Sequence, residues 1–238
     1  MSKTHDFIGG EVFLVDKPLT WTSFDVVNKL RWNLKQRTKI KRFKVGHAGT
    51  LDPLATGLLI ICCGKATKTI DSYMGMPKEY TGTIVLGGSR PSYDMETEID
   101  HEFDLSDITE EKVRAAVKTF TGDIQQVPPM HSAKKIDGKK AYEYARKGID
   151  KELKANSITI FEYELTRVAL PEVDFRITCS KGTYIRSLAH DLGAALNNGG
   201  YLKALRRTAI GDFRIENAQS VDDWVTEIQE AEMVAREE

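Results

Sequence analysis

Residues 46–57 read GHAGTLDPLATG, with three glycines and a proline in twelve residues. Such a composition builds an ordered loop rather than a helix or a strand. Asp52 precedes Pro53, which biases it away from helical dihedrals, and the apolar run 57–63 follows at once. A carboxylate held on a stiff loop at the mouth of a buried strand suits a nucleophile or a general base. The competing reading is an Asp-Pro turn whose carboxylate is structural. A second segment, KGTYIR at 181–186, lies where a strand gives way to a helix. Arg186 falls in the first helical turn, where the helix dipole disfavours a cation. A cation there has a role other than stabilising the helix, and pairing with a carboxylate such as Asp52 is one option; a surface arginine is the other. There is no G-x-G-x-x-G and no P-loop. The three cysteines, Cys62, Cys63 and Cys179, include an adjacent pair and no C-x-x-C, which argues against a disulfide framework or a zinc site.

The elements that must position these residues alternate irregularly between strand and helix patterns. Strands are expected over 12–15, 57–63, 79–86, 157–166, 173–179 and 208–215. Helices are expected after Thr22 or Ser23 (Val27, Leu30 and Leu34 sharing a face), over 66–74, from Thr109 to a stop at Gly122, over 139–147, over 184–196, and behind Ser220. Residues 35–44 read as a basic loop, and 124–138, with Pro128-Pro129 and Asp137-Gly138, as a loop or hairpin-like excursion. The order lacks the regular βαβ alternation of a doubly wound sheet. No repeat and no linker divides the chain, so 1–238 reads as one domain.

The chain has 238 residues, of which 41% are hydrophobic and 29% charged. That is globular composition. No apolar run approaches the roughly 18 residues of a membrane span, and the polar N-terminus has no signal-peptide core. A cytoplasmic protein without a membrane partner is expected. The formal net charge of −1 conceals an uneven distribution. Residues 216–238 hold eight acids against Arg236, which leaves the first 215 residues at +6. Positive charge is bunched at 35–44 (Lys35, Arg37, Lys39, Lys41, Arg42, Lys44), at 134–147 among Tyr142 and Tyr144, and at Lys203, Arg206 and Arg207. Such clusters either converge on a phosphate-binding stripe or form separate solvated faces.

The run 46–65 (GHAGTLDPLATGLLIICCGK) resembles the catalytic motif of the TruB family, the tRNA pseudouridine synthases acting on the T-arm. The blocks VDKP (15–18), KEY (78–80), VPPMHSAKK (127–135) with YEYARKG (142–148), KGTYIR (181–186) and LRR (205–207) are similar to further family segments in the same order, over nearly the whole chain. The resemblance implies an α+β pseudouridine synthase fold: a mixed, mostly antiparallel central sheet flanked by helices, with an RNA-clasping insertion at about 124–155. It implies isomerisation of uridine to pseudouridine at position 55 of the tRNA T-loop, by base flipping and without metal or other cofactor. By resemblance Asp52 is the essential carboxylate, Arg186 its pairing arginine, and Tyr80 the aromatic that stacks on the target base. Leu205 lines the uracil pocket, Lys17 supports it, and His47 fills the gap left by the extruded base. The same likeness makes Lys134 and Arg206 substrate-binding candidates. The family's acidic pattern after residue 87 is replaced here by Arg90-Pro91-Ser92-Tyr93, although Asp94 remains. The short acidic tail leads us to expect no C-terminal PUA domain, and the expected state is a monomer bound to the T-arm stem-loop. The rival functions are the same chemistry on another structured RNA, or a tRNA-folding chaperone that isomerises nothing.

Overall fold

The computed structural model describes residues 4–132, 134–136, 138–149, 151 and 153–234. In chain order its main elements are β1 (Val12–Lys17), α1 (Ser23–Thr38), β2 (Val45–His47), β3 (Ala55–Cys63), β4 (Lys78–Leu86), α2 (Glu110–Lys118), β5 (Gly122–Gln126), β6 (Asn156–Ala169), β7 (Glu172–Cys179), α3 (Ile185–Ala195), β8 (Gly200–Ile210), β9 (Phe213–Arg214), β10 (Gln219–Ser220) and α4 (Val221–Glu230). They group into two compact units. The first comprises residues 1–78 and 206–238, the second residues 79–205.

In the first unit β3 is the central strand. It is apolar on both faces and pairs antiparallel with β1, Val15 opposite Leu59, and with β2, Val45 opposite Cys63. β10 adds to β1 in parallel. One face carries Phe13, Val15, Leu59, Ile61 and Cys63 against Val26, Val27, Leu30 and Leu34 of α1 and against Val221 and Ile228 of α4. Thr22 caps α1 with a full capping box, and Ser220 does the same for α4. Each cap is worth about 1 kcal/mol. The acidic tail helix is a structural element of this unit: Trp224 Nε1 donates to Leu14 O at 2.8 Å and Gln229 Nε2 to Asn33 Oδ1 at 2.9 Å.

The second unit is built on β6. This strand pairs antiparallel with β7 on one side and with β5 on the other. Val173, Phe175, Ile177 and Cys179 alternate inward along β7 with period two. β8 crosses the boundary between the units, residues 200–205 belonging to the second and 206–210 to the first.

Three expectations need correction. α1 runs through Lys35 to Thr38, so the basic segment is half helix, and the chain leaves the helix only at Lys39, in the left-handed region at φ 60°. Gly122, read as a helix stop, opens β5 at φ 100°, and α2 has already ended at Lys118. The strand expected over 208–215 is instead β8 from Gly200, followed by a tight turn into β9. The Lys-Ala-Leu-Arg-Arg run gave no alternating pattern to read as a strand. Asp137 of the expected Asp-Gly turn, and Arg236, Glu237 and Glu238 of the tail, lie outside the described residues.

Candidate active site

In the first unit the loop after β2 is pinned on both sides of Asp52. Leu51 N donates to Ser23 Oγ at 2.8 Å, and Ser23 Oγ donates to Leu51 O at 3.2 Å. Ser23 is buried at the first turn of α1. On the far side, Thr20 N donates to Pro53 O at 2.8 Å, and Ala55 N closes the turn on Asp52 O at 3.0 Å. Asp52 is half-buried, with Leu51 buried before it. The first turn of α1, the turn after β1 and a proline therefore hold the backbone on either side of this carboxylate.

Lys17 ends β1 and is fully buried. Its Nζ donates to Pro18 O at 2.9 Å, to Trp21 O at 2.6 Å and, weakly, to Pro53 O at 3.5 Å. Burial pushes its pKa down to about 8; the negative charge of Asp52 opposes that shift and the Arg207 guanidinium adds to it. Lys17 thus ties the 18–21 turn to the Asp52 loop and places positive charge near the carboxylate.

Arg207 was not singled out from the sequence as a site residue. Among the described residues it is the largest fully buried side chain, with Nε donating to Leu58 O at 2.7 Å and Nη2 to Gly49 O at 3.2 Å. Its own backbone presses on Gly57, where a Cβ would lie 2.3 Å from Arg207 O. Gly57 also sits at φ 106°, so glycine is required there on two counts. In the sequence this arginine reads as part of a phosphate-binding or solvated cluster, and no local signal marks it as buried. His47, at the end of β2, is half-buried; burial first, and then Arg207, hold its pKa below the usual imidazole range. Arg206 forms a bidentate pair with Asp16, at 3.0 and 2.7 Å.

In the second unit Arg186 is the second residue of α3 and is buried. Its Nη1 donates to His131 O at 2.9 Å and to Ser92 O at 3.2 Å, and its Nε lies 3.7 Å from Asp94 Oδ2. Gln126 fixes the turn before it with two reciprocal bonds to Tyr184, from Tyr184 N at 2.8 Å and to Tyr184 O at 3.0 Å. Ser187 Oγ adds a bond to Val127 O at 2.8 Å. Asp94 is buried beside Ser92, whose hydroxyl donates to Asp94 O at 3.1 Å. The 90–94 segment therefore supplies a carbonyl and a carboxylate to Arg186. Tyr80 is buried on β4, and Leu205 is half-buried on β8. Lys134 reaches Asn156 Oδ1 at 2.5 Å and Lys154 O at 3.3 Å, bonds that fasten the insertion to the start of β6. Tyr142 lies under Arg146 and Lys140, with cation-to-centroid distances of 5.1 and 5.5 Å. Among the described residues, no cluster of His, Cys, Asp and Glu is arranged to hold a metal ion, and no helix is long and apolar enough to cross a membrane.

Comparison with known proteins gives two family matches: TruB family pseudouridylate synthase (N terminal domain) over residues 35–185, and tRNA pseudouridylate synthase B C-terminal domain over 186–238. The chain is 55% identical over 214 residues to a tRNA pseudouridine synthase B of Flavobacterium johnsoniae, covering 90% of this chain and 93% of that protein. It is 52% identical over 235 residues to the protein of the same name from Phocaeicola vulgatus, covering 98% and 100%. Among solved structures, a Cbf5-Nop10-Gar1 complex matches with a TM-score of 0.69 at 30% identity, over 92% of this chain and 54% of that one. An H/ACA RNP bound to a substrate RNA containing 2'-deoxyuridine matches with a TM-score of 0.66 at 28% identity, over 92% and 54%. The chain thus spans about half the length of the chains it matches in those two structures.

Proposed function

The chain belongs to the TruB family of pseudouridylate synthases, and from that premise we propose that it isomerises the uridine at position 55 of the tRNA T-loop, with Asp52 as the essential carboxylate. As a member of that family it is an isomerase with the pseudouridine synthase fold. The reaction breaks the bond between ribose C1′ and uracil N1, turns the base and joins C1′ to C5. N1 gains a proton and C5 loses one, so the change is redox-neutral. C1′ and C5 of a stacked nucleotide are not reachable together, so the target is flipped out, at a cost of a few kcal/mol.

The observation that carries this reading is the double pinning of Asp52, by Ser23 on Leu51 and by Thr20 on Pro53, beside the buried ammonium of Lys17. A carboxylate that attacks C1′, or assists departure of uracil, gains from being held in one orientation before substrate arrives. Lys17 supports that loop. His47 fills the gap left by the flipped base; a lowered pKa keeps its ring neutral near pH 7, which suits insertion into a base stack. For the second unit we propose that Tyr80 stacks on the target base, Leu205 lines its pocket, and Arg186 is the catalytic arginine. Lys134 and Arg206 contact the RNA as cations already steadied by Asn156 and Asp16. The RNA partner is the T-arm stem-loop, bound by a monomer.

The test is to incubate the protein with full-length unmodified tRNA and map pseudouridine at nucleotide resolution. A single new pseudouridine in the T-loop at position 55 is expected. Product confined to other positions would refute the assigned target, and tRNA binding with no product anywhere would favour the chaperone.

A further inference from the structure

The five cations Arg31, Lys35, Lys41, Arg42 and Lys44 of the first unit line one open groove of about 400 Å³, floored by Phe43 and Val45. Elsewhere many basic side chains are matched: Arg114, Arg167, Arg176, Arg186, Lys203 and Arg206 each meet a carboxylate. Among the described residues, none of the five in the groove has a carboxylate within ion-pair reach. Crowding like charges lowers the stability of a fold, and here no internal acid offsets it. Nor, among the described residues, does the tail helix α4. α4 bonds to α1 through Asn33, and Arg37 donates to Ala231 O. At 100° per residue both lie on the side of α1 opposite Arg31 and Lys35.

The groove also has a fixed place relative to Asp52. Ser23, bonded to Leu51, starts α1, and Phe24, Arg31 and Lys35 form one stripe along its outer side. Arg31 sits over the exposed Phe24 ring at 5.8 Å, and its Nη2 donates to Val45 O at 3.0 Å, which joins the stripe to the groove. The rise of 1.5 Å per residue puts Arg31 about 12 Å, and Lys35 about 18 Å, along the helix from the Asp52 loop. At about 3 Å per nucleotide step along an A-form RNA strand, that is about four to six steps.

We propose that this groove binds backbone phosphates of the same RNA, about four to six nucleotide steps from the nucleotide held at Asp52. Its ligand is polyanionic backbone, recognised by charge and spacing without base readout. The proposal rests on the reading of the chain as an RNA-modifying enzyme.

The test uses the full chain and two synthetic T-arm hairpins, one with a seven-pair stem and one with a two-pair stem. Binding is measured by fluorescence anisotropy from 0.05 to 0.4 M salt, for wild type, for K35Q/K41Q/R42Q/K44Q, and for the charge-conserving K35R/K41R/R42K/K44R. Each phosphate contact contributes about 0.9 to the slope of log K against log salt on a duplex. On the long stem the neutralised variant should lose about 2 or more from that slope and bind about tenfold or more weaker at 0.1 M salt. The charge-conserving variant should follow wild type, and the short stem should show little difference among the three proteins. An unchanged slope on the long stem, an equal loss on both stems, or the same loss in the charge-conserving variant would each overturn the proposal. Salt-sensitive binding without pseudouridine would leave the groove standing and sink the isomerase reading. Pseudouridine formation with an unchanged slope would do the reverse.

Discussion

Replacing Lys17 by methionine sets two opposing terms against each other. Burial holds the ammonium pKa at about 8 against an ordinary 10.5, so at neutral pH the buried charge costs about 3 kcal/mol. Methionine removes that cost but leaves Pro18 O and Trp21 O without their donor, at about 1–3 kcal/mol each. Near pH 7 the variant should therefore lie within about 3 kcal/mol of wild type. The sign with pH follows from the lowered pKa. Between about 8 and 10.5 the unfolded chain binds a proton that the folded chain does not, so this residue makes wild type more stable as pH rises through that window. Denaturant titrations at pH 7 and pH 10 should show Lys17→Met losing ground to wild type by up to about 3 kcal/mol. Activity should move the opposite way. Above pH 8 wild-type Lys17 loses the charge that faces Asp52, so turnover should fall with an apparent pKa near 8. The variant should be slower throughout and lack that limb. Superposable pH profiles for the two proteins, together with a pH-independent stability difference, would refute the role given to this lysine.

Other perturbations probe the same frame. Gly57→Ala should cost more than 2 kcal/mol, read as a lowered urea midpoint, because φ 106° and the backbone of Arg207 both exclude a Cβ. Ser23→Ala should cost about 1–3 kcal/mol by leaving buried Leu51 N without its acceptor, and should lower kcat more than it raises KM, because the Asp52 loop loosens. Arg186→Lys keeps the charge but cannot reproduce bonds to both Ser92 O and His131 O. Its kcat should fall at least tenfold in single-turnover assays while the far-UV spectrum is unchanged.

The sequence declared some of this geometry and hid the rest, for identifiable reasons. Strands with clean period-two patterns, such as 173–179, and helices with a polar cap, such as those behind Thr22 and Ser220, were legible because local chemistry and packing agree. The Asp52 loop was legible as a loop, but its two pins were not. Ser23 and Thr20 meet it through bonds spanning 28 and 33 residues, and nothing in a local window marks them. Residues 200–210 carry a strand whose basic side chains mask any alternation, because Arg207 is buried while Lys203 is exposed. Asp94 was noted only as a surviving acid, and its place beside Arg186 needed the fold of the 88–102 segment. Lys134 and Arg206 are substrate-binding candidates in the sequence, and their bonds to Asn156 and Asp16 span 22 and 190 residues, beyond any local window.

The central claim is that the carboxylate of Asp52 performs the isomerisation and does not merely shape its loop. The direct measurement is pseudouridine formation on an unmodified T-arm stem-loop by wild type and Asp52→Asn side by side, with RNA affinity measured on the same preparations. Product from wild type alone and RNA binding by both are expected, since the asparagine keeps the size of the side chain and removes only its charge. Full product from Asp52→Asn would contradict the claim.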